Sequence, residues 1–189
     1  MSIEKLVLTA EGLLKDSFKL GSNILESGFH PTMIIAIWRG GTPVGMAVQE
    51  LLSYFGVHAD HIAIRTSSYT GVDQRGPTVR VHGLNYIIKK IRQDDRLLIV
   101  DDVFDTGHTI TAVVEELQKK ARRNMPRDVK VAVPWYKPTR RETNLVPDYF
   151  VHSTDKWLVF PHELDALTPE EMRERRPDLY EILASAKRQ

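Results

Sequence analysis

Short runs of consecutive apolar residues alternate along this chain with stretches in which apolar residues recur at helical spacing. Mainly apolar runs are typical of strands buried on both faces, and they occur at residues 32–37, 62–65, 97–100 and 129–133. Helical spacing predicts helices over residues 9–27, 43–54, 84–91 and 110–117. The alternation predicts an α/β fold with a central, mainly parallel sheet flanked by helices.

The polar segments that follow the predicted strands are candidates for a ligand site, because open parallel sheets bind ligands beyond the carboxyl ends of their strands. Four such segments are expected to line one cleft: residues 39–43, residues 67–75, residues 101–109 and Lys137. After Tyr136 the pattern becomes irregular, which predicts a small cap over the strand ends. We therefore predict one domain, with a core at about 30–136, a hood at about 137–165 and a C-terminal helical extension at 166–189.

Composition excludes several classes of protein. The 189 residues carry a formal net charge of +1, so no overall field favours nucleic acid or an anionic membrane. The chain has no cysteine, which excludes disulfides, thiolate metal sites and cysteine nucleophiles. No apolar stretch approaches the length of a membrane span, and the N-terminus lacks the pattern of a signal peptide. We expect a cytoplasmic protein without nucleic-acid or membrane partners.

Residues 97–109 carry the most specific chemistry. An apolar strand is followed by Asp101 and Asp102 and then by the polar residues 105–109. The acidic pair can bind hydroxyl groups or a hard cation such as Mg2+, and backbone N–H groups at a helix N-terminus can surround an anion. Taken singly, an acidic pair is typical of a solvated loop, and Asp-Thr-Gly of a capped turn. Together and in this order they indicate a site for a phosphorylated sugar.

The same segment resembles the phosphoribosyl-pyrophosphate (PRPP) signature of the type I phosphoribosyltransferases. That signature is an apolar strand, two acidic residues, two variable residues and Asp-Thr-Gly-x-Thr, and every fixed position is met. The resemblance implies Mg2+ as a cofactor, with metal contacts from Asp101, Asp102 and Glu163. It implies PRPP contacts from Arg39, Gly40, Ser68, Tyr69, Asp101, Asp102, Thr106, Gly107, His108 and Thr109.

A second stretch, from Lys137-Pro138 to Trp157-Leu158, resembles the base pocket of the 6-oxopurine (hypoxanthine, guanine and xanthine) phosphoribosyltransferases. The resemblance implies that Lys137 donates to the O6 atom, that Trp157 offers a flat face to the base and that Leu158 contributes backbone groups. Asp105 matches the proposed acceptor of the purine N7 proton. The implied reaction converts PRPP and a 6-oxopurine into a nucleoside 5′-monophosphate and pyrophosphate, in a homodimer or homotetramer.

Residues 67–76 resemble the mobile loop that closes over the reaction centre of these enzymes and excludes water. A disordered surface loop is the alternative there. For the whole chain, one alternative is a regulatory protein on the same fold that senses PRPP or a nucleotide. The absence of a basic stripe argues against that alternative. Another is a sugar-phosphate-binding α/β domain of a different family, which leaves the combination of Lys137 and Trp157 unexplained.

Overall fold

The structure, a computed structural model, describes residues 4–69 and 78–186. These residues form two compact units. The larger unit runs from Leu13 to Asp155, and the smaller unit combines the described residues up to Gly12 with those from Lys156 onward. Within the described residues, no helix is both long enough and apolar enough to cross a membrane.

The described part of the chain contains nine strands and six α-helices. The strands are β1 (Lys5–Val7), β2 (Met33–Trp38), β3 (Asp60–Tyr69), β4 (Thr78–His82), β5 (Arg96–Val100), β6 (Val103–Phe104), β7 (Asp128–Tyr136), β8 (Tyr149–Ser153) and β9 (Trp157–Val159). The helices are α1 (Ala10–Glu26), α2 (Gly41–Tyr54), α3 (Asn85–Lys90), α4 (His108–Ala121), α5 (Pro169–Arg175) and α6 (Pro177–Ala186). Short 3-10 turns lie at Arg122–Asn124 and Pro138–Arg140.

A seven-stranded sheet forms the centre of the larger unit. Its strands follow the order β4-β3-β2-β5-β7-β6, and β8 also pairs with β7. All of these pairs are parallel except β3 with β4. The predicted α/β fold with a mainly parallel sheet is confirmed, because the mainly apolar runs form β2, β5 and β7 at its centre.

Helices α2 and α4 start close to the carboxyl ends of strands and bury their apolar faces. On α4, Ile110, Val113 and Leu117 pack in the same core cluster as Ile35 of β2 and Ile99 of β5. Helix α2 approaches β2 closely, since a Cβ atom on Gly45 would lie 2.7 Å from the Cβ atom of Ala36. Both helices begin beside the carboxyl ends of strands, so their first turns flank the predicted ligand site.

The predicted second strand is longer than its apolar run. Strand β3 continues to Tyr69 and pairs antiparallel with β4, so residues 60–69 and 78–82 are the two arms of a hairpin. The segment between them, residues 70–77, lies outside the described residues. The predicted mobile loop falls mostly on that segment and stays a prediction.

The smaller unit contains a two-stranded parallel sheet, β1 with β9, and the helices α5 and α6. Thr168 and Glu171 form a capping box at the start of α5, and Lys5 contacts the Glu171 carboxylate at 2.6 Å. This grouping differs from the domain boundaries drawn from the sequence. The reason is strand pairing: β8 joins β7, which holds residues 137–155 in the larger unit, and β1 joins β9.

Candidate active site

The site begins where β2 and β5 end side by side. Gly40 and Gly41 follow β2, and Asp101 and Asp102 follow β5. A Cβ atom on Gly40 would lie 1.7 Å from Oδ2 of Asp102, and one on Gly41 would lie 2.6 Å from the carbonyl oxygen of Val100. Only glycine fits at these two positions without a shift of the neighbours. The structure therefore brings Gly40, one of the predicted PRPP contacts, next to the acidic pair.

The Asp101 carboxylate is held by backbone N–H groups. Its Oδ1 atom accepts a hydrogen bond of 3.0 Å from the N–H of Asp102, and the N–H of Gly41 also donates to this carboxylate. Burial nevertheless raises the pKa of Asp101 well above its usual range, and the charge of Asp102 raises it further. Two adjacent carboxylates of this kind attract a cation or hydroxyl donors.

The acidic pair is suited to a hard cation that brings further ligands with it. Among the described residues, no three His, Cys, Asp or Glu side chains converge into a metal-binding group. Mg2+ fits such a place, because it commonly binds through one or two carboxylates and completes its shell with water and substrate oxygens. The donor set of Asp101 and Asp102 is therefore compatible with the predicted Mg2+.

Residues 106–109 form the turn that leads into α4. Gly107 is the N-cap residue, with φ of 89°, a left-handed conformation that favours glycine. The hydroxyl of Thr106 accepts from the N–H of His108 at 3.4 Å, and the carbonyl of Gly107 accepts from Thr111 at 3.0 Å. The backbone N–H groups at the start of a helix have no intrahelical acceptor. The turn therefore leaves N–H groups at the start of α4 that an anion could accept from, and its predicted contact with the 5′-phosphate of PRPP stays a prediction.

Asp105 precedes this turn and contacts two cations. Lys137, which is 4% exposed, places its Nζ atom 3.3 Å from Oδ2 of Asp105. The Nε atom of Arg140 lies 2.7 Å from Oδ1. Oδ1 is enclosed and receives no aligned hydrogen bond, so its contact with Arg140 is an ion pair only. The structure thus unites Asp105 and Lys137, and it adds Arg140, which the sequence analysis missed.

The position of Lys137 follows from strand pairing. Strands β6 and β7 are parallel, and the N–H of Lys137 donates to the carbonyl of Phe104 at 2.9 Å. This bond sets the residue after β7 beside the residue after β6. Arg140 follows in the 3-10 turn Pro138–Arg140, and a basic residue three positions after Lys137 was the only sequence signal for it.

Three predicted site residues belong to the smaller unit. The side chain of Trp157 is exposed. The backbone N–H of Trp157 donates to the carbonyl of Glu4 at 3.2 Å. Leu158 is buried. Oε2 of Glu163 accepts from the N–H of Phe160 at 3.0 Å, a local turn contact. The base and metal roles of these residues stay predictions.

The remaining predicted residues lie at the ends of β2 and β3. Arg39 is exposed, and the peptide bond that joins it to Trp38 is cis. Ser68 and Tyr69 are the last residues of β3, where they pair with Val79 and Thr78. Their predicted contacts with PRPP stay predictions.

A family model and a solved structure both match most of this chain. The model of the phosphoribosyl transferase domain matches residues 7–167. A purine phosphoribosyltransferase from Pyrococcus horikoshii Ot3 is 31% identical over 86% of this chain and 95% of its own, with a TM-score of 0.65. No curated protein sequence matches this chain.

Two further solved structures share the fold. The xanthine-guanine-hypoxanthine phosphoribosyltransferase of Helicobacter pylori is 20% identical over 86% of this chain and 96% of its own, with a TM-score of 0.64. A hypothetical protein from Neisseria gonorrhoeae with bound ppGpp is 21% identical over 99% of both chains, with a TM-score of 0.73. Because the family match spans residues 7–167 and includes the acidic pair and the turn into α4, this chain belongs to the phosphoribosyl transferase domain family.

Proposed function

We propose that this protein transfers the phosphoribosyl group of PRPP to a 6-oxopurine base, giving a nucleoside 5′-monophosphate and pyrophosphate. The observation that carries the proposal is the contact between Asp105 and the buried Lys137, immediately before the turn at residues 106–109. A proton acceptor and a donor to O6 thus stand next to an anion site for the 5′-phosphate. An adenine site would need an acceptor for the 6-amino group where Lys137 can only donate.

In the proposed reaction the purine N9 atom attacks C1 of the ribose as the bond to pyrophosphate breaks. Asp105 takes the N7 proton, so the purine ring of the nucleotide product carries no positive charge. The same carboxylate offsets positive charge on the sugar as its bond to pyrophosphate lengthens. Asp105 begins in an ion pair with Arg140 and Lys137, and Arg140, which is about half exposed, is free to turn away when the base arrives.

The other site residues bind and orient the substrates. Arg39, Gly40 and Gly41 would hold the pyrophosphate, because two residues without Cβ let the backbone approach its oxygens. Asp101 and Asp102 would hold Mg2+ or the ribose hydroxyls. When bound, Mg2+ supplies positive charge that neutralises the leaving pyrophosphate. Trp157 and Leu158 would contact the base, and Glu163 would assist the metal.

The Pyrococcus horikoshii and Helicobacter pylori relatives support a purine as the acceptor, since both are purine phosphoribosyltransferases. We also propose a cytoplasmic homodimer or homotetramer, as the resemblance implies. A second candidate function is nucleotide sensing on the same fold. The Neisseria gonorrhoeae structure with bound ppGpp favours that candidate, because it matches this chain over almost its whole length.

Initial rates test the two candidates directly. The purified protein is incubated with PRPP, Mg2+ and hypoxanthine, guanine, xanthine or adenine in turn, and nucleotide formation is followed. The enzyme proposal predicts turnover with at least one 6-oxopurine and little with adenine. A preference for adenine would overturn the 6-oxopurine assignment. No turnover with any base, together with tight nucleotide binding, would favour sensing.

A further inference from the structure

The segment that follows β7 lies against the start of α4 and forms backbone hydrogen bonds with the residues that precede the helix. We call residues 137–145 the strap. The N–H of Lys137 donates to the carbonyl of Phe104, and the N–H of Glu142 donates to the carbonyl of Thr106, each at 2.9 Å. The strap therefore contacts the turn on both sides of Asp105, at points two residues apart.

Side chains of the strap contact the same turn. Oε2 of Glu142 lies 2.7 Å from Nε2 of His108. Thr143 packs so closely that a Cβ atom on Gly107 would lie 2.3 Å from its Oγ1 atom. Three successive residues of the turn, Thr106, Gly107 and His108, are thus each in contact with Glu142 or Thr143.

We propose that Glu142 is a positioning residue for the 5′-phosphate site: beside the backbone bond to Thr106, its carboxylate holds His108 so that the N–H groups at the start of α4 face the phosphate before it binds. The inference deepens the proposed function, on which it rests. Fixed donors lose little entropy when an anion arrives, which is the advantage of a preorganised site. His108 serves here as the point to which the strap is attached.

A simple charge argument predicts the opposite effect. A carboxylate close to a phosphate site repels the ligand, so its removal should tighten binding. If Glu142 acts by holding the turn, its removal should weaken binding instead. The sign of the change therefore separates positioning from bulk electrostatics.

Different parts of the strap contact the proposed base side and the phosphate side of the site. Lys137 and Arg140, near its start, contact Asp105 on the side of the proposed base, whereas Glu142 contacts the phosphate turn. The pyrophosphate loop at Arg39 and Gly40 belongs to another strand end. A change at Glu142 should thus affect ligands with a 5′-phosphate and spare those bound by the pyrophosphate loop.

The test measures the binding of two probes by calorimetry: ribose 5-phosphate for the turn and magnesium pyrophosphate for the loop. Glu142→Ala should weaken ribose 5-phosphate binding about two- to fivefold, the range for an exposed contact between two side chains, and leave pyrophosphate binding unchanged. Glu142→Gln, which retains a hydrogen-bonding group for His108, should recover most of the affinity. The matched control is Glu115→Ala, at an exposed position on α4, which should leave the affinity for both probes unchanged.

A double-mutant comparison completes the test. His108→Ala should weaken ribose 5-phosphate as much as Glu142→Ala does, and the double variant should be no weaker than either. Unchanged or tighter ribose 5-phosphate binding in Glu142→Ala overturns the inference, as does equal weakening of both probes. These probes need no transfer activity. A wild-type protein that binds them but turns over no base would therefore refute the proposed function while leaving the role of Glu142 intact.

Discussion

At the amino ends of β3 and β5, acidic side chains have cationic or neutral donors as partners. Asp60, at the start of β3, accepts from Tyr86 at 2.8 Å and from Lys90 at 2.7 Å, and Lys90 lowers its pKa. Asp95, just before β5, accepts from the Thr32 hydroxyl at 2.7 Å. At the carboxyl end of β5, by contrast, the half-buried Asp101 lies beside the like charge of Asp102, and burial of its carboxyl group and that charge raise its pKa.

The difference indicates which edge of the sheet is built for stability and which for binding. Contacts at the amino ends are complete within the protein, so they stabilise the fold and need no ligand. The carboxyl ends combine like charges, two glycines and a helix start, an arrangement that becomes favourable when a polyanion and a cation bind. Substitutions at the two edges should therefore separate effects on activity from effects on stability.

The largest effect is expected at Asp105, on the carboxyl edge. Asp105→Asn removes the proposed proton acceptor, and the loss of a general base typically lowers kcat ~10²–10⁴-fold. The asparagine retains the shape of the side chain, so ribose 5-phosphate binding should change little, whereas the loss of the charge beside the buried Lys137 should lower the thermal midpoint. Steady-state rates and calorimetry on the same preparation measure both. Turnover equal to that of the wild type in the folded variant would rule out this role for Asp105.

Gly41 tests the close packing at the carboxyl edge. A Cβ atom there meets backbone, 2.6 Å from the Val100 carbonyl oxygen and 2.8 Å from the Cα atom of Asp101, so the strand ends must move apart. We expect Gly41→Ala to lower the free energy of unfolding by about 1–3 kcal/mol, as overpacking does, and to abolish pyrophosphate binding. Urea denaturation and calorimetry measure the two effects.

Gly107→Ala contrasts with Gly41→Ala in two ways. The Cβ atom added at Gly107 would meet side chains and not backbone, and the φ of Gly107 is left-handed. Thr143→Ala should restore part of the stability lost in Gly107→Ala, since it removes the Oγ1 atom 2.3 Å away. Gly28→Ala isolates the cost of the left-handed backbone alone, because φ is +78° and nothing lies within 4 Å. If Gly28→Ala lowered the free energy of unfolding as much as Gly107→Ala does, contact with the strap would not be the cause of the stability lost in Gly107→Ala.

Lys137 distinguishes base recognition from phosphate recognition within the carboxyl edge. If it donates to O6, Lys137→Ala should raise the KM of the 6-oxopurine about tenfold or more, because a hydrogen bond from a charged group contributes ~1.5–3 kcal/mol. The KM of PRPP should change far less. Lys119→Ala, at an exposed position on α4, is the control. Equal rises in both KM values would indicate a folding defect.

The sequence predicted the elements around this site well where the information is local. Mainly apolar runs predict β2, β5 and β7, and the order of residues 101–109 predicts an acidic pair and then a turn into a helix, which the structure has as α4. Arg140 and Glu142 were missed because their roles depend on where the chain goes after β7. Glu142 lies in a polar run typical of a solvated loop, and only the fold brings it to His108.

Long-range pairing explains the other differences. Strand β1 joins β9 across about 150 residues of sequence, and neither three-residue strand has a pattern that identifies its partner. Strand β8 joins β7 through register contacts such as Ala132 with Tyr149. The irregular pattern after Tyr136 therefore predicted a cap where the structure extends the main sheet.

The smallest effect is expected at Asp60, on the amino edge, and it should fall on stability alone. Asp60→Asn weakens the contacts with Lys90 and Tyr86, which are partly exposed and screened by solvent, so we expect a loss below ~1 kcal/mol and unchanged kcat. The pKa of Asp60 is lowered in the folded state, so its contribution is complete above the unfolded value and disappears as pH falls through the folded one. The unfolding free energies of wild type and Asp60→Asn should therefore differ equally at pH 7 and pH 5, and the difference should shrink once the pH falls below the unfolded pKa of ~4 toward the lowered folded pKa. Asp94→Asn, at an exposed position before β5, controls for the loss of one charge. A difference that grew on acidification, or a fall in kcat, would contradict the division of roles between the two edges.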